Sequence, residues 1–101
     1  MSEKVIQLSK DGANPPSVHI SILGKDVVTV TSDDDFCVSS IVQQPGGDES
    51  NPFNRPLPWP QQGCCPRVTS GAPKAGTQGT YKFSGTFSDG TPYDPIIIID
   101  Q

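Results

Sequence analysis

The segment TYKFSGTF at residues 80–87 points to the fold class of this 101-residue chain. Its aromatic side chains, Tyr81, Phe83 and Phe87, are separated by even numbers of residues, so an extended strand would place all of them on one face. The segment SVHISI at residues 17–22 alternates in the same way between aliphatic and polar side chains. No window of the sequence repeats its apolar residues at the helical period. The two segments therefore predict an all-β protein.

Four other stretches complete the predicted sheet. Residues 26–31 are rich in β-branched side chains, residues 36–42 follow an acidic turn at 32–35, and residues 96–99 are four consecutive isoleucines. Residues 5–8 predict a short edge strand. We therefore expect a single antiparallel β-sandwich of about six to seven strands.

Side-chain directions in the predicted strand at residues 36–42 follow from period-two alternation. Phe36 and Val38 should point one way, and Cys37 and Ile41 the other. Independently of this direction, one interpretation of the cysteines makes Cys37 a small residue of the core.

Proline and glycine dominate the least regular part of the sequence. The chain has 11 prolines and 10 glycines, and seven of the prolines and six of the glycines fall in residues 43–79. That stretch shows no sustained periodicity, so we expect one domain over residues 1–101 with a long Pro/Gly-rich loop at 43–79. Part of the loop should pack over the sheet as extended or polyproline II chain, and residues 67–69 could add a short strand.

Charge and hydropathy exclude several classes of function. The net charge is −4, and the seven lysines and arginines are scattered, which argues against nucleic-acid binding. The N-terminus lacks the apolar run of a secretory signal, and no stretch reaches the roughly 20 apolar residues of a membrane helix. We expect a cytoplasmic protein that does not bind membranes. The sequence contains no complete catalytic constellation or nucleotide loop, so we expect no enzyme activity and no cofactor.

The sequence RPLPWP at residues 55–60 is the best candidate for recognition of a partner. Prolines at alternate positions favour polyproline II, while Arg55 and Trp59 offer a charge and an aromatic face. With Phe53 and Leu57 they form the predicted binding residues, for a protein or a small ligand. An alternative interpretation folds Trp59 and Leu57 back over the open end of the sheet, where they would fill the core.

The adjacent cysteines Cys64 and Cys65 support a function of a different class. The chain has three cysteines, and an odd number excludes a fully paired disulfide framework. The adjacent thiols could form a vicinal disulfide, or bind a soft metal together with Cys37 and His19. The competing interpretation leaves all three cysteines reduced. It also makes His19 a surface residue, because His19 lies opposite the aliphatic face of its strand.

Assembly with another chain is a third possible role. The isoleucine strand at residues 96–99, or an exposed edge of the sheet, could pair with a strand of a second chain. The sequence leaves the oligomeric state open.

Two partial resemblances bear on the fold. The sequence GTYKF at residues 79–83, with the β-branched run at 27–30, resembles the late and early strands of the cupredoxin-like sandwich. That resemblance implies a cupredoxin-like or immunoglobulin-like sandwich without copper, because no His or Met follows the late strand and His19 is the single histidine. The ending DPII at residues 94–97 resembles the DP-EP family of small uncharacterised bacterial β-sandwich proteins. That second resemblance implies a fold and no activity.

Overall fold

The regular structure of the protein consists of β-strands. The computed structural model describes residues 2–9, 11–46 and 48–101, and among them it contains no helix that could cross a membrane. The described strands are, in chain order, β1 (Glu3–Ser9), β2 (Gly12–Asn14), β3 (Ser17–Ser21), β4 (Val27–Gln44), β5 (Asp48–Glu49), β6 (Cys65–Thr69), β7 (Gly79–Phe87), β8 (Pro92–Tyr93) and β9 (Ile96–Asp100). Of these, β2, β5 and β8 have three residues or fewer. The predicted all-β class is confirmed.

The longest strand, β4, organises the sheet. The sequence pattern predicts two strands separated by an acidic turn at residues 32–35, but the backbone stays extended through the aspartates and forms one strand of 18 residues. The ladder to β6 is irregular between Thr31 and Phe36. The aspartates are exposed, so an extended backbone leaves their carboxylates solvated without a turn. Toward its start β4 pairs with β1 and β6, and toward its end with β7 and β5.

The strands form one curved sheet with the order β2-β1-β4-β7-β9-β3, to which β5, β6 and β8 add at the sides. Strands β1 and β3 approach each other, so the sheet nearly closes on itself and does not divide clearly into the two sheets of the predicted sandwich. Strand β1 pairs with β4 in parallel, and so does β3 with β9. The prediction of a purely antiparallel sheet is therefore wrong for these two pairs. Alternation reports which face of a strand is buried, and it contains no information on strand direction.

A bulge in β4 changes which face its later residues present. The β4–β7 register shifts between Val38 and Ser40, which leaves Ser39 as an extra, exposed residue. The shift turns Ile41 to the same side as Phe36 and Val38, and all three are fully buried. The expectation that Ile41 points away from them was wrong, because one extra residue reverses the faces of every later side chain.

The Pro/Gly-rich residues 43–79 are attached along β4. Strand β5 pairs with the end of β4, β6 pairs with its start, and Trp59 forms a bridge to Val38 between them. The short strand expected at residues 67–69 is confirmed as part of β6. The stretch expected as a long loop thus covers one edge of the longest strand.

The core lies inside the curved sheet and takes side chains from each of the longer strands. Tyr81, Phe83 and Phe87 share its inner face, as the alternation predicted. Burial of these apolar groups is the main force that holds the sheet closed. The buried hydrophobic residues are Ile6, Leu8, Val18, Ile20, Val28, Val30, Phe36, Val38, Ile41, Phe53, Trp59, Val68, Tyr81, Phe83, Phe87, Tyr93, Ile97 and Ile99.

Gly85 is required in β7 because β4 and β8 approach it closely. A Cβ atom at this position would overlap the carbonyl oxygen of Cys37 and lie 2.6 Å from the hydroxyl oxygen of Tyr93. The Tyr93 hydroxyl donates a hydrogen bond to that same Cys37 carbonyl. Burial of the Tyr93 ring raises the pKa of its hydroxyl above the ordinary value. The missing side chain of Gly85 therefore lets Tyr93 reach β4.

Candidate functional site

The first candidate site is the strap, which we define as residues 51–64 and which contains the predicted recognition motif. Phe53 and Trp59 anchor it, since both are fully buried. The Trp59 ring meets the Phe53 ring at a centroid distance of 5.6 Å and the Phe83 ring at 5.4 Å, both edge-to-face. The Trp59 N–H donates to the Val38 carbonyl (3.0 Å), and the Val38 N–H donates to the Trp59 carbonyl (2.9 Å). The interpretation of Trp59 as a core residue is confirmed.

Side-chain donors satisfy the strap's carbonyl groups. Proline has no N–H, so a proline-rich segment has more backbone acceptors than backbone donors. The indole N–H of Trp59 donates to the Arg55 carbonyl at 3.0 Å. The Gln61 side-chain amide donates to the carbonyls of Pro56 and Pro58, at 2.9 Å each. These bonds hold the strap in one conformation.

Arg55 and Leu57, the other two predicted binding residues, are partly buried. The Arg55 Nη1 donates to the carbonyl oxygen of Thr69 in β6 at 2.6 Å, and Leu57 packs against the core. The strap bends repeatedly instead of forming the predicted polyproline II helix, and two of its X–Pro peptide bonds are cis. Pro56 and Pro58 supply its exposed apolar surface.

The second candidate site is a disulfide between Cys37 in β4 and Cys64 at the end of the strap, with their Cα atoms 4.9 Å apart. The pair continues the antiparallel register in which Phe36 lies opposite Cys65. Cys64 is exposed and Cys37 is half-buried. The expectations that Cys37 is a reduced core residue and that Cys64 is reduced are therefore wrong. The alternation in the sequence was compatible with this pairing, because it predicts that the Cys37 side chain lies on the face of the strand opposite to Phe36. Phe36 faces the core, so Cys37 is expected on the outer face.

Cys65 takes the opposite direction from Cys64. Its side chain packs partly against the core, and its thiol donates to the Arg67 carbonyl at 3.0 Å. Cys65 is a free cysteine, so the vicinal disulfide is not formed. The Nδ1 of His19 lies 3.1 Å from a carboxylate oxygen of Asp100, and the His19 side chain is 67% exposed, which confirms His19 as a surface residue. Over residues 2–9, 11–46 and 48–101, no three His, Cys, Asp or Glu side chains are placed to hold a metal ion.

A cleft of about 410 Å³, which was not expected from the sequence, lies against β7 and β8. The Nζ of Lys82 and a carboxylate oxygen of Asp94 are 3.3 Å apart at this cleft. One signal could have located it, because the sequence SDGT at residues 88–91 is typical of a turn. That turn returns the chain beside β7 and brings Asp94 close to Lys82. The lining residues are Lys82, Ser84, Gly85, Pro92, Tyr93 and Asp94.

The isoleucine strand is not an edge of the sheet. Strand β9 lies between β7 and β3, so its backbone groups are paired on both sides. The strand order ends instead at β2, which has three residues, and at β3, which follows Pro15 and Pro16. Short strands and flanking prolines both discourage pairing with another chain.

No protein-family model matches this chain, and no curated protein sequence is significantly similar to it.

Proposed function

We propose that this protein is a small non-enzymatic interaction module, which binds a partner protein through the outer rim of the strap. The rim consists of the exposed prolines Pro56 and Pro58, on either side of the partly buried Leu57. The observation that supports the proposal is the anchoring of Trp59. Its buried ring and its two hydrogen bonds to Val38 hold the strap in place while Pro56 and Pro58 stay exposed. A segment that is ordered before binding loses less conformational entropy when it meets a partner.

The chemistry of the rim favours a partner with an aromatic groove. Proline rings pack well against aromatic side chains, and polyproline II segments are recognised by aromatic-lined grooves in this way. The strap is bent, so it offers the same proline rings in a different arrangement. Trp59 and Phe53 are buried, so they support the rim from inside and do not contact the partner in this proposal. Arg55 contributes in the same indirect way, because its guanidinium is bonded to the Thr69 carbonyl.

The test compares two variants that place the same charge on an exposed apolar position. Pro56→Glu alters the rim, and Val5→Glu alters β1, where the Val5 side chain is 47% exposed. Immobilised wild-type protein is used to capture proteins from an extract of the producing cells, and a captured candidate is then purified and titrated directly. We expect Pro56→Glu to weaken the direct binding at least about tenfold, which is about 1.4 kcal/mol. Val5→Glu should leave the affinity unchanged. Equal affinities of both variants for every purified candidate would refute the proposed surface.

A second candidate function, from the thiol class, is favoured by the disulfide between Cys37 and Cys64. In this proposal the protein responds to the thiol–disulfide balance of its surroundings. The cytoplasmic location expected from the sequence stays a prediction. The disulfide bears on that prediction, because stable disulfides are typical of oxidising compartments, and cytosolic ones are usually transient or redox-sensing. Cell fractionation with thiol trapping would test both points together.

The finer fold assignment is also a proposal. The cupredoxin-like or immunoglobulin-like sandwich and the resemblance to the DP-EP family stay hypotheses. They are supported by the length of β4, whose start pairs with β1 and β6 and whose end pairs with β7 and β5, so that one strand joins both parts of the curved sheet.

A further inference from the structure

The disulfide joins an exposed loop to the middle of β4. Within the described residues, no backbone hydrogen bond joins residues 60–63 to β4. Residues 61–64 are exposed. On one side of this short segment the strap is held by Trp59, and on the other side β6 pairs with β4. The bond between Cys37 and Cys64 is therefore the covalent link that holds an otherwise loosely attached segment to the sheet.

The third cysteine is kept away from this bond. Cys65 follows Cys64 directly in sequence, but its side chain packs partly against the core while Cys64 faces outward to Cys37. A thiolate that attacks one sulfur of a disulfide must approach it in line with the S–S bond, on the side opposite to the sulfur that leaves. Cys65 cannot do so without leaving its position beside the core. A thiol that opens the disulfide in the folded protein must therefore come from another molecule.

We propose that Cys64 is a thiol-exchange site, at which a low-molecular-weight thiol of the glutathione class forms a mixed disulfide. The inference rests on the second candidate function and specifies its substrate class and the sulfur that is attacked. Cys64 is exposed and Cys37 is half-buried, so the incoming thiolate reaches the Cys64 sulfur.

The exchange conserves the number of electrons and disulfide bonds. The thiolate sulfur forms a bond to Sγ of Cys64, the bond between Cys37 and Cys64 breaks, and its electron pair stays on Sγ of Cys37, which takes up a proton from water. A second thiolate can then attack the mixed disulfide at the sulfur of the low-molecular-weight thiol. That step releases the symmetrical disulfide of the small thiol and leaves Cys64 reduced.

The opening of the disulfide should stay local. Trp59 keeps its two hydrogen bonds to Val38 and its contacts with the rings of Phe53 and Phe83, none of which involves a sulfur atom. The segment that gains freedom is therefore the one between Trp59 and β6. Pro56 and Pro58 lie on the other side of Trp59, which still holds them to β4. The contacts they lose are the hydrogen bonds from the side chain of Gln61, which lies in the freed segment.

The experiment treats the folded, oxidised protein with reduced glutathione, stops the reaction with acid, alkylates the free thiols and maps the adducts by peptide mass spectrometry. We expect at least about tenfold more glutathione on Cys64 than on Cys37, with Cys37 alkylated in the same molecules. The matched control is Cys65→Ser, which should give the same adduct pattern. Trp59 fluorescence should keep the emission of a buried indole during the reaction.

Two different results would overturn different claims. Glutathione found mainly on Cys37 or Cys65, or a red shift of the Trp59 emission, would refute the assigned site or its local opening and leave the thiol function standing. A disulfide that reacts in concentrated urea but not in the folded protein would refute the inference and the thiol function together.

Discussion

Replacement of both Cys37 and Cys64 by alanine should lower the free energy of unfolding by about 3.5 kcal/mol. The disulfide closes a loop with a sequence separation of 27. In the chain-entropy model, a loop of this length removes about 12 cal/mol/K from the unfolded chain, which is about 3.5 kcal/mol at 25 °C. Loss of packing should add little, because Cys64 is exposed and Cys37 is half-buried. Domains of this size are stable by about 5–15 kcal/mol, so the variant should still fold.

Urea denaturation followed by fluorescence measures this change directly. Trp59 is the single tryptophan of the chain and is fully buried in the strap, so its emission reports whether the strap is in place. With an m-value of about 1–3 kcal/mol per molar urea, the midpoint should fall by about 1–3.5 M. Far-UV circular dichroism should give the same midpoint if unfolding is two-state.

Two controls separate the disulfide from the substitutions themselves. Cys65→Ala keeps the disulfide and removes a partly buried thiol, so it should cost no more than about 1 kcal/mol. Reduced wild-type protein should match the double variant. A double variant within about 1 kcal/mol of oxidised wild type would refute the reasoning. The reasoning would also be refuted if Cys65→Ala lowered the free energy of unfolding as much as the double replacement does.

Three further changes test the anchors of the fold. Trp59→Ala should destabilise the protein by about 3–5 kcal/mol in urea denaturation followed by circular dichroism, whereas Leu57→Ala, at a partly buried position on the same strap, should cost clearly less. Gly85→Ala should cost about 1–3 kcal/mol or prevent folding, because its Cβ would overlap a carbonyl oxygen of β4, while the adjacent Ser84→Ala should be nearly neutral in the same assay. Burial raises the pKa of Tyr93, so above pH ~10 the unfolded state loses its proton first and the free energy of unfolding should fall as pH rises. Tyr93→Phe should make the free energy of unfolding fall less steeply with pH when it is measured at several pH values. An unchanged slope would contradict the attribution of this pH dependence to Tyr93.

The alternation of residues 80–87 was sufficient to predict both the strand and its buried face. Tyr81, Phe83 and Phe87 lie inside, as do the aliphatic side chains of β3. Burial in a strand depends on the direction of each side chain from the backbone, and that direction repeats every two residues. Local sequence therefore carries this information without any knowledge of neighbouring strands.

The candidate sites were predictable only in part, because they depend on contacts between distant segments. The sequence left two roles open for Trp59, contact with a partner or packing in the core. The positions of Val38 and Phe83, which lie far from Trp59 in sequence, show that its side chain is inside. The disulfide was missed, because its partners are 27 residues apart and only the pairing of β4 with the end of the strap brings them together. The cleft at Lys82 likewise requires β8 to return beside β7.

Sequence alone determined the all-β class, the inward faces of β3 and β7, and the place of the irregular proline-rich stretch. These properties follow from side-chain shape, period-two alternation and the missing N–H of proline, all of which act over a few residues. Tertiary structure decided the parallel pairs, the bulge at Ser39, the closing of the sheet and the partner of Cys37. Each of these depends on which segments lie side by side, and many different pairings satisfy the same local pattern until the core is packed.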